Sequence, residues 1–117
     1  RFDPPLHMFT RWAYEEVEIA GHVFAPGDEV ACLLAAANRD PAVYDAPDRF
    51  APDRDGPANV AFGGGIHFCV GAPLARLELL VALRTLYARC PDLRVTAQPR
   101  YGDIYHFHGL EALSVEV

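Results

Sequence analysis

Cysteine is scarce. The chain has Cys32, Cys69 and Cys90, and no two of them form a C-x-x-C pair. Neither a disulfide framework nor a zinc ribbon is therefore supported, and reduced thiols suit a cytoplasmic setting. No apolar run reaches the roughly 20 residues that a membrane-spanning helix needs, so no membrane association is expected. Positive charge is also short. Ten basic residues stand against sixteen acidic ones, and the net charge of −6 argues against a nucleic-acid partner. There is no internal repeat, low-complexity tract or recognisable signal peptide, and the chain opens at Arg1 without an initiator Met. Its 117 residues, 51% of them hydrophobic, give no sign of disorder and amount to about one small domain.

The chain is organised around Phe62-Gly63-Gly64-Gly65-Ile66-His67-Phe68-Cys69-Val70-Gly71. A lone cysteine ordinarily reads as a small buried hydrophobe, and a glycine run as a turn. Here they stand together, just ahead of a long apolar helix. Glycines without a Cβ take positive φ and let backbone lie against a flat ligand. A helix N-terminus presents free N–H groups and a positive dipole end, which favours the ionised form of a nearby thiol. The N–H groups near Val70 and Gly71 are placed to bond the sulfur. Phe62 can shield it from water, and His67 can reach an anionic edge of the same ligand.

The residues from Ala72 to Arg89 spell a helix, with Pro73 in its first turn, Arg84 and Arg89 towards its end and Pro91 just beyond. Leu74, Leu77, Leu79, Leu80, Val81, Leu83, Leu86 and Tyr87 leave almost no polar face. A helix apolar on nearly all sides must be covered on nearly all sides. This chain cannot readily supply that cover, which points to a larger protein. Upstream, residues 1–12 are expected to leave a helix end through Pro4-Pro5 and become extended, because a residue before proline avoids the α region. Residues 13–34 alternate as β structure, with turn signals at Gly21-His22 and Pro26-Gly27, and Cys32 reads as core. Pro41 is placed to open a short helix, and prolines at 47, 52 and 57 predict irregular backbone to residue 60. A short strand is expected over Leu93–Thr96. A hairpin is expected within residues 101–117, with Tyr105-His106-Phe107-His108-Gly109 near its tip and Leu113–Val117 as its closing strand. His106 and His108 would share one strand face, but no third ligand accompanies them, so no second metal is expected.

The cysteine stretch resembles the haem-binding signature of the cytochrome P-450 family, F-x-x-G-x-[R/H]-x-C-x-G. Phe62, Gly65, His67, Cys69 and Gly71 fill every fixed position. The resemblance covers essentially the whole chain. It implies an α+β fold, mainly α in the intact protein, of which residues 1–117 form the C-terminal haem-binding part of a single larger domain. That part would hold the cysteine-ligand loop, one long apolar helix and small antiparallel sheets. The implied cofactor is haem b, ligated by the thiolate of Cys69, which promotes O–O cleavage. Ala61, Phe62, Gly63, Gly65, His67, Gly71 and Ala75 would lie against it. Arg11 and His67 would pair with its propionates. Leu6, His7, Met8 and Phe9, with His106 and Phe107, would line the substrate pocket. Arg1 and Arg49 would belong to a structural Glu-Arg-Arg triad whose Glu precedes Arg1. Asn59 departs from a His often found there, which puts one secondary propionate contact in doubt.

The implied activity is that of a soluble, bacterial-type monooxygenase that inserts one atom of O₂ into a small, mostly apolar substrate. Its electrons would come from a ferredoxin or flavin-type donor, which Arg76 would help to dock. The residues that activate oxygen would lie upstream, so these 117 residues alone are expected to be inactive. The alternative is a non-catalytic haem-binding or haem-sensing module, or an inactive remnant. Peroxygenases and isomerases share the same loop.

Overall fold

A computed structural model describes residues 1–117. The chain divides into two compact units, Arg1–Ala61 and Phe62–Val117.

In the first unit, β1 (Met8–Trp12) pairs antiparallel with β4 (Glu29–Leu33), in register from Met8 opposite Leu33 to Trp12 opposite Glu29. Between them β2 (Val17–Ile19) and β3 (His22–Phe24) form a hairpin. Its two turn residues, Ala20 at φ 52° and Gly21 at φ 81°, both lie in the left-handed region, which is the tight turn that matches strand twist. The turn is therefore one residue earlier than expected. His22 opens β3, edge-on to Phe24 at 4.5 Å between ring centres. The Pro26-Gly27 turn is type II as expected: Gly27 has φ 93°, and the Asp28 N–H donates to the Ala25 carbonyl at 3.1 Å.

A single helical turn, α1 (Leu34–Ala37), follows β4 directly. The sequence had pointed to a helix at Pro41 instead. There Asp40 takes control: its carboxylate accepts the Ala42 N–H at 2.8 Å, and its carbonyl accepts the N–H groups of Val43 and Tyr44 at 3.1 and 2.9 Å. Asp forms such local turns readily, so the backbone closes one turn rather than a helix. The irregular stretch that follows is tied down by side chains. Tyr44, buried, donates to the Ala58 carbonyl at 3.2 Å. Arg39 donates to Asp48 at 3.0 Å and to the Phe2 carbonyl at 2.7 Å, and its guanidinium lies 4.3 Å from the Phe2 ring centre. Arg54 donates to the carbonyls of Asp45 and Ala46. Cys32, expected in the core, is exposed, because β4 has β1 alone as its partner and nothing covers the sulfur.

In the second unit, α2 runs Ala72–Arg89, with the bounds the sequence implied. Ala72 is fully buried, yet the large apolar side chains from Leu74 to Tyr87 are between 41% and 59% exposed. The helix is thus apolar on nearly all sides, as its composition implied, yet this chain leaves it uncovered. No helix is long and apolar enough to cross a membrane. Beyond α2, β5 (Arg94–Val95) pairs with β8 (Val115–Glu116), and β6 (Arg100–Tyr101) pairs with β7 (Leu110–Ala112). The expected hairpin exists, but its strands are β6 and β7. The last strand returns to β5, where Thr96 N–H bonds Ser114 carbonyl at 3.0 Å.

Candidate functional site: the cysteine loop

The loop from Phe62 to Gly71 is closed by its own backbone. Cys69 N–H donates to the Phe62 carbonyl at 2.9 Å, which joins the two ends of the glycine run. Inside that closure Gly63 and Gly65 take φ of 73° and 60°. A side chain at either would be strained, and a Cβ at Gly63 would also meet the His67 carbonyl at 3.4 Å. Gly64 is extended, at φ −161°. A 3₁₀ turn, Gly65–His67, then raises the chain, and Phe68 N–H bonds the Gly65 carbonyl at 3.1 Å. Ala72 N–H donates to the Cys69 carbonyl at 3.1 Å, and Ala75 N–H to the Gly71 carbonyl at 2.9 Å, so α2 begins within three residues of the thiol.

The thiol is unpaired and exposed. A Cβ built on Gly71 would lie 3.8 Å from its sulfur, so glycine there keeps the sulfur's surroundings small. A Cβ built on Gly64 or Gly65 meets nothing within 4 Å, so the loop leaves open space beside its backbone. The Phe62 and Phe68 rings are 6.4 Å apart, and the guanidinium of Arg76 lies 4.9 Å from the Phe62 ring centre. A rigid loop, a free thiol at a helix start and a face without side chains suit a metal held in a flat ring. Cys69 could supply the iron ligand of a haem here, and His67, which is exposed, could reach one of its carboxylate edges.

The other expected site residues fall in place as follows. Phe62, Ala61, Gly71 and Ala75 are half-buried. In the first unit Arg11 is exposed on β1, donating to the Thr10 carbonyl at 2.8 Å, with its guanidinium 5.6 Å from the Phe9 ring centre. Leu6, His7 and Met8 are half-buried where β1 begins, and the His7 carbonyl accepts the Ala35 N–H at 3.2 Å. In the second unit His106 and Phe107 are exposed at the hairpin tip, their rings 5.8 Å apart. His108, half-buried, stacks on Tyr101 at 4.0 Å. Arg1 donates to the carbonyls of Asn38 and Pro47 and lies over the Tyr44 ring. Arg49 is exposed, and the guanidinium groups bonded to the irregular stretch are those of Arg1, Arg39 and Arg54.

Sequence reasoning missed Asn38, Arg39 and Arg54. Asn38 is 0% exposed, and its Oδ1 accepts the Val60 N–H at 2.9 Å. It follows a single short turn of helix, and an Asn at a helix end is the one signal that was available.

Residues 1–91 match the family described as Cytochrome P450. The chain is 42% identical over 121 residues to cytochrome P450 monooxygenase PikC of Streptomyces venezuelae, covering 98% of this chain and 29% of that protein. It is 40% identical over 116 residues to the biotin biosynthesis cytochrome P450 of Bacillus subtilis, again covering 98% of this chain and 29% of the relative. Among solved structures, Mycobacterium smegmatis CYP164A2 with econazole bound superposes with a TM-score of 0.93 at 46% identity, covering 99% of this chain and 29% of that one. P450BioI, solved with a hexadec-9Z-enoic acid-ligated acyl carrier protein, gives 0.92 at 39% identity, covering 97% and 30%. The chain belongs to the cytochrome P450 family and has its fold. It spans just under a third of the length of these relatives.

Proposed function

We propose that this chain is the haem-binding part of a monooxygenase, in which Cys69 holds the iron of haem b as a thiolate. The observation that carries the reading is the closed loop: Cys69 N–H bound to the Phe62 carbonyl at 2.9 Å, with the thiol itself exposed. A ligand fixed at both ends by backbone loses little freedom when it binds metal, and so presents its sulfur in one position. The open backbone at Gly64 and Gly65 admits a flat ring. Phe62 would shield the sulfur once haem is bound, and His67 and, by the family resemblance, Arg11 would bind the propionates. Haem, when bound, supplies the electron transfer and oxygen activation of the family, and the thiolate tunes it towards O–O cleavage.

The same proposal covers the rest of the protein. The cysteine loop supports reading this segment as the haem-binding part of one larger domain, with Arg1 and Arg49 in a structural triad. By the family resemblance, Leu6, His7 and Met8, leading into β1, and His106 and Phe107, at the hairpin tip, are the substrate-lining residues. A small, mostly apolar molecule is the substrate class that such residues favour. A ferredoxin or flavin-type protein supplies electrons, in the cytoplasm, where three free thiols persist.

The test is spectroscopic, in the haem-loaded full-length protein. Reduced protein with carbon monoxide is expected to show the red-shifted Soret band of thiolate ligation. Cys69→Ser abolishes it, while Cys32→Ser and Cys90→Ser leave it intact. A band that survives Cys69→Ser refutes the assignment. Substrate turnover with a supplied electron donor then separates a monooxygenase from a haem-sensing module.

A further inference from the structure

We infer that Arg76 is a positioning residue for the Cys69 thiolate, acting inward through the Phe62 ring rather than outward on a partner protein. The inference rests on the haem-thiolate reading above. Phe62 is the residue on which the loop closes. Its carbonyl accepts the Cys69 N–H at 2.9 Å, so any tilt of Phe62 is passed to the cysteine backbone through one hydrogen bond. Its ring is held from two directions by Phe68, 6.4 Å away, and by the Arg76 guanidinium, 4.9 Å from the ring centre.

The helix is built for this contact. Ala72, Ala75 and Arg76 stand at i, i+3 and i+4, one face of α2. Ala72 is fully buried and Ala75 half-buried, so the small residues let the loop lie close while the long arginine spans over it. A guanidinium is planar, weakly hydrated and stacks on aromatic faces, which a lysine ammonium does less well. A docking role needs positive charge and tolerates either residue. A role in bracing the ring needs the planar group.

That difference supplies the experiment. In the haem-loaded full-length protein, Arg76→Lys, Arg76→Gln, Phe62→Leu and the double variant Arg76→Gln/Phe62→Leu are compared with the parent protein. Two quantities are read: the rate at which haem passes to excess apomyoglobin, and the share of the reduced carbon monoxide complex in the thiolate-type band. Each single variant is expected to speed haem loss by about 2- to 5-fold, the size of an exposed cation–π contact, and to lower the thiolate share. The double variant is expected to be no worse than the poorer single one, because both remove the same contact. Phe62→Tyr keeps the ring face, so Arg76→Gln is expected to speed haem loss by the same factor in a Phe62→Tyr background as in the parent, which keeps the test sound if Phe62→Leu does not fold. Arg76→Lys indistinguishable from the parent, or effects that multiply in the double variant, overturns the inference. A parent protein without the thiolate band removes the cysteine reading itself, and this inference with it.

Discussion

Gly63→Ala offers a quantitative test of how the cysteine is held. Gly63 has φ 73°, and a Cβ there would come within 3.4 Å of the His67 carbonyl. The left-handed conformation alone costs a residue with a Cβ about 1–2 kcal/mol. At 3.4 Å the Cβ would only touch that oxygen, so the backbone conformation carries the cost. At about 1.4 kcal/mol per factor of ten, the variant should populate the native loop some 5- to 30-fold less favourably. The control is its neighbour. Gly64 is extended at φ −161°, and a Cβ built on it meets nothing within 4 Å, so Gly64→Ala carries no such backbone strain. Haem transfer to apomyoglobin from the full-length protein reads the difference: Gly63→Ala should lose haem at least several-fold faster than Gly64→Ala. Equal loss rates would refute the claim that backbone conformation, rather than the mere absence of side chains, makes the glycines necessary.

Asn38→Leu keeps the bulk but strands the Val60 N–H, now bonded to Oδ1 at 2.9 Å, and should destabilise the protein by about 1–3 kcal/mol in urea unfolding; an unchanged midpoint would show the bond to be dispensable. The exposed ion pairs Arg94–Glu116 at 2.9 Å and Arg100–Glu111 at 3.2 Å should matter little, and removing either arginine is expected to cost less than about 1 kcal/mol in the same measurement. Residues 1–117 expressed alone should show helical circular dichroism without a sharp thermal transition, and a monodisperse monomer that melts cooperatively would contradict this.

The parts of the molecule that the sequence made readable are those governed by local chemistry. The limits of α2 follow from Pro73, Arg89 and Pro91, and the cysteine loop from glycines whose positive φ no other residue takes cheaply. The parts that were not readable depend on distant partners. Cys32 looked like core by its alternation, but alternation says which face a residue takes and not whether anything lies against that face. The helix expected at Pro41 gave way to an Asp40 turn because a side-chain carboxylate competed for the same N–H groups. The last strand pairs with β5 and not with its nearer neighbour, a choice between sheet partners that residue type does not encode. Asn38 stood in plain view, yet its burial comes from the packing of α1 and the irregular stretch around it. The Arg76–Phe62 contact spans fourteen positions and carries no signature in either residue alone.

The exposed girdle of α2 bears on how unfolding is measured. Leu34, Tyr44 and Ala72 are the buried hydrophobic residues of the chain, while eight large side chains of α2 stay about half in solvent. Heat-capacity increments and denaturant slopes scale with the apolar surface newly exposed on unfolding. For this stretch alone that change is small, so its unfolding curve would be shallow. In a longer protein that covered them, as proposed above, the same eight side chains would contribute their full area. Truncating Leu79 or Leu83 to alanine is then expected to register chiefly as a lower midpoint for that protein, because the cover over α2 would tie it into a cooperative unit larger than the residues that spell it.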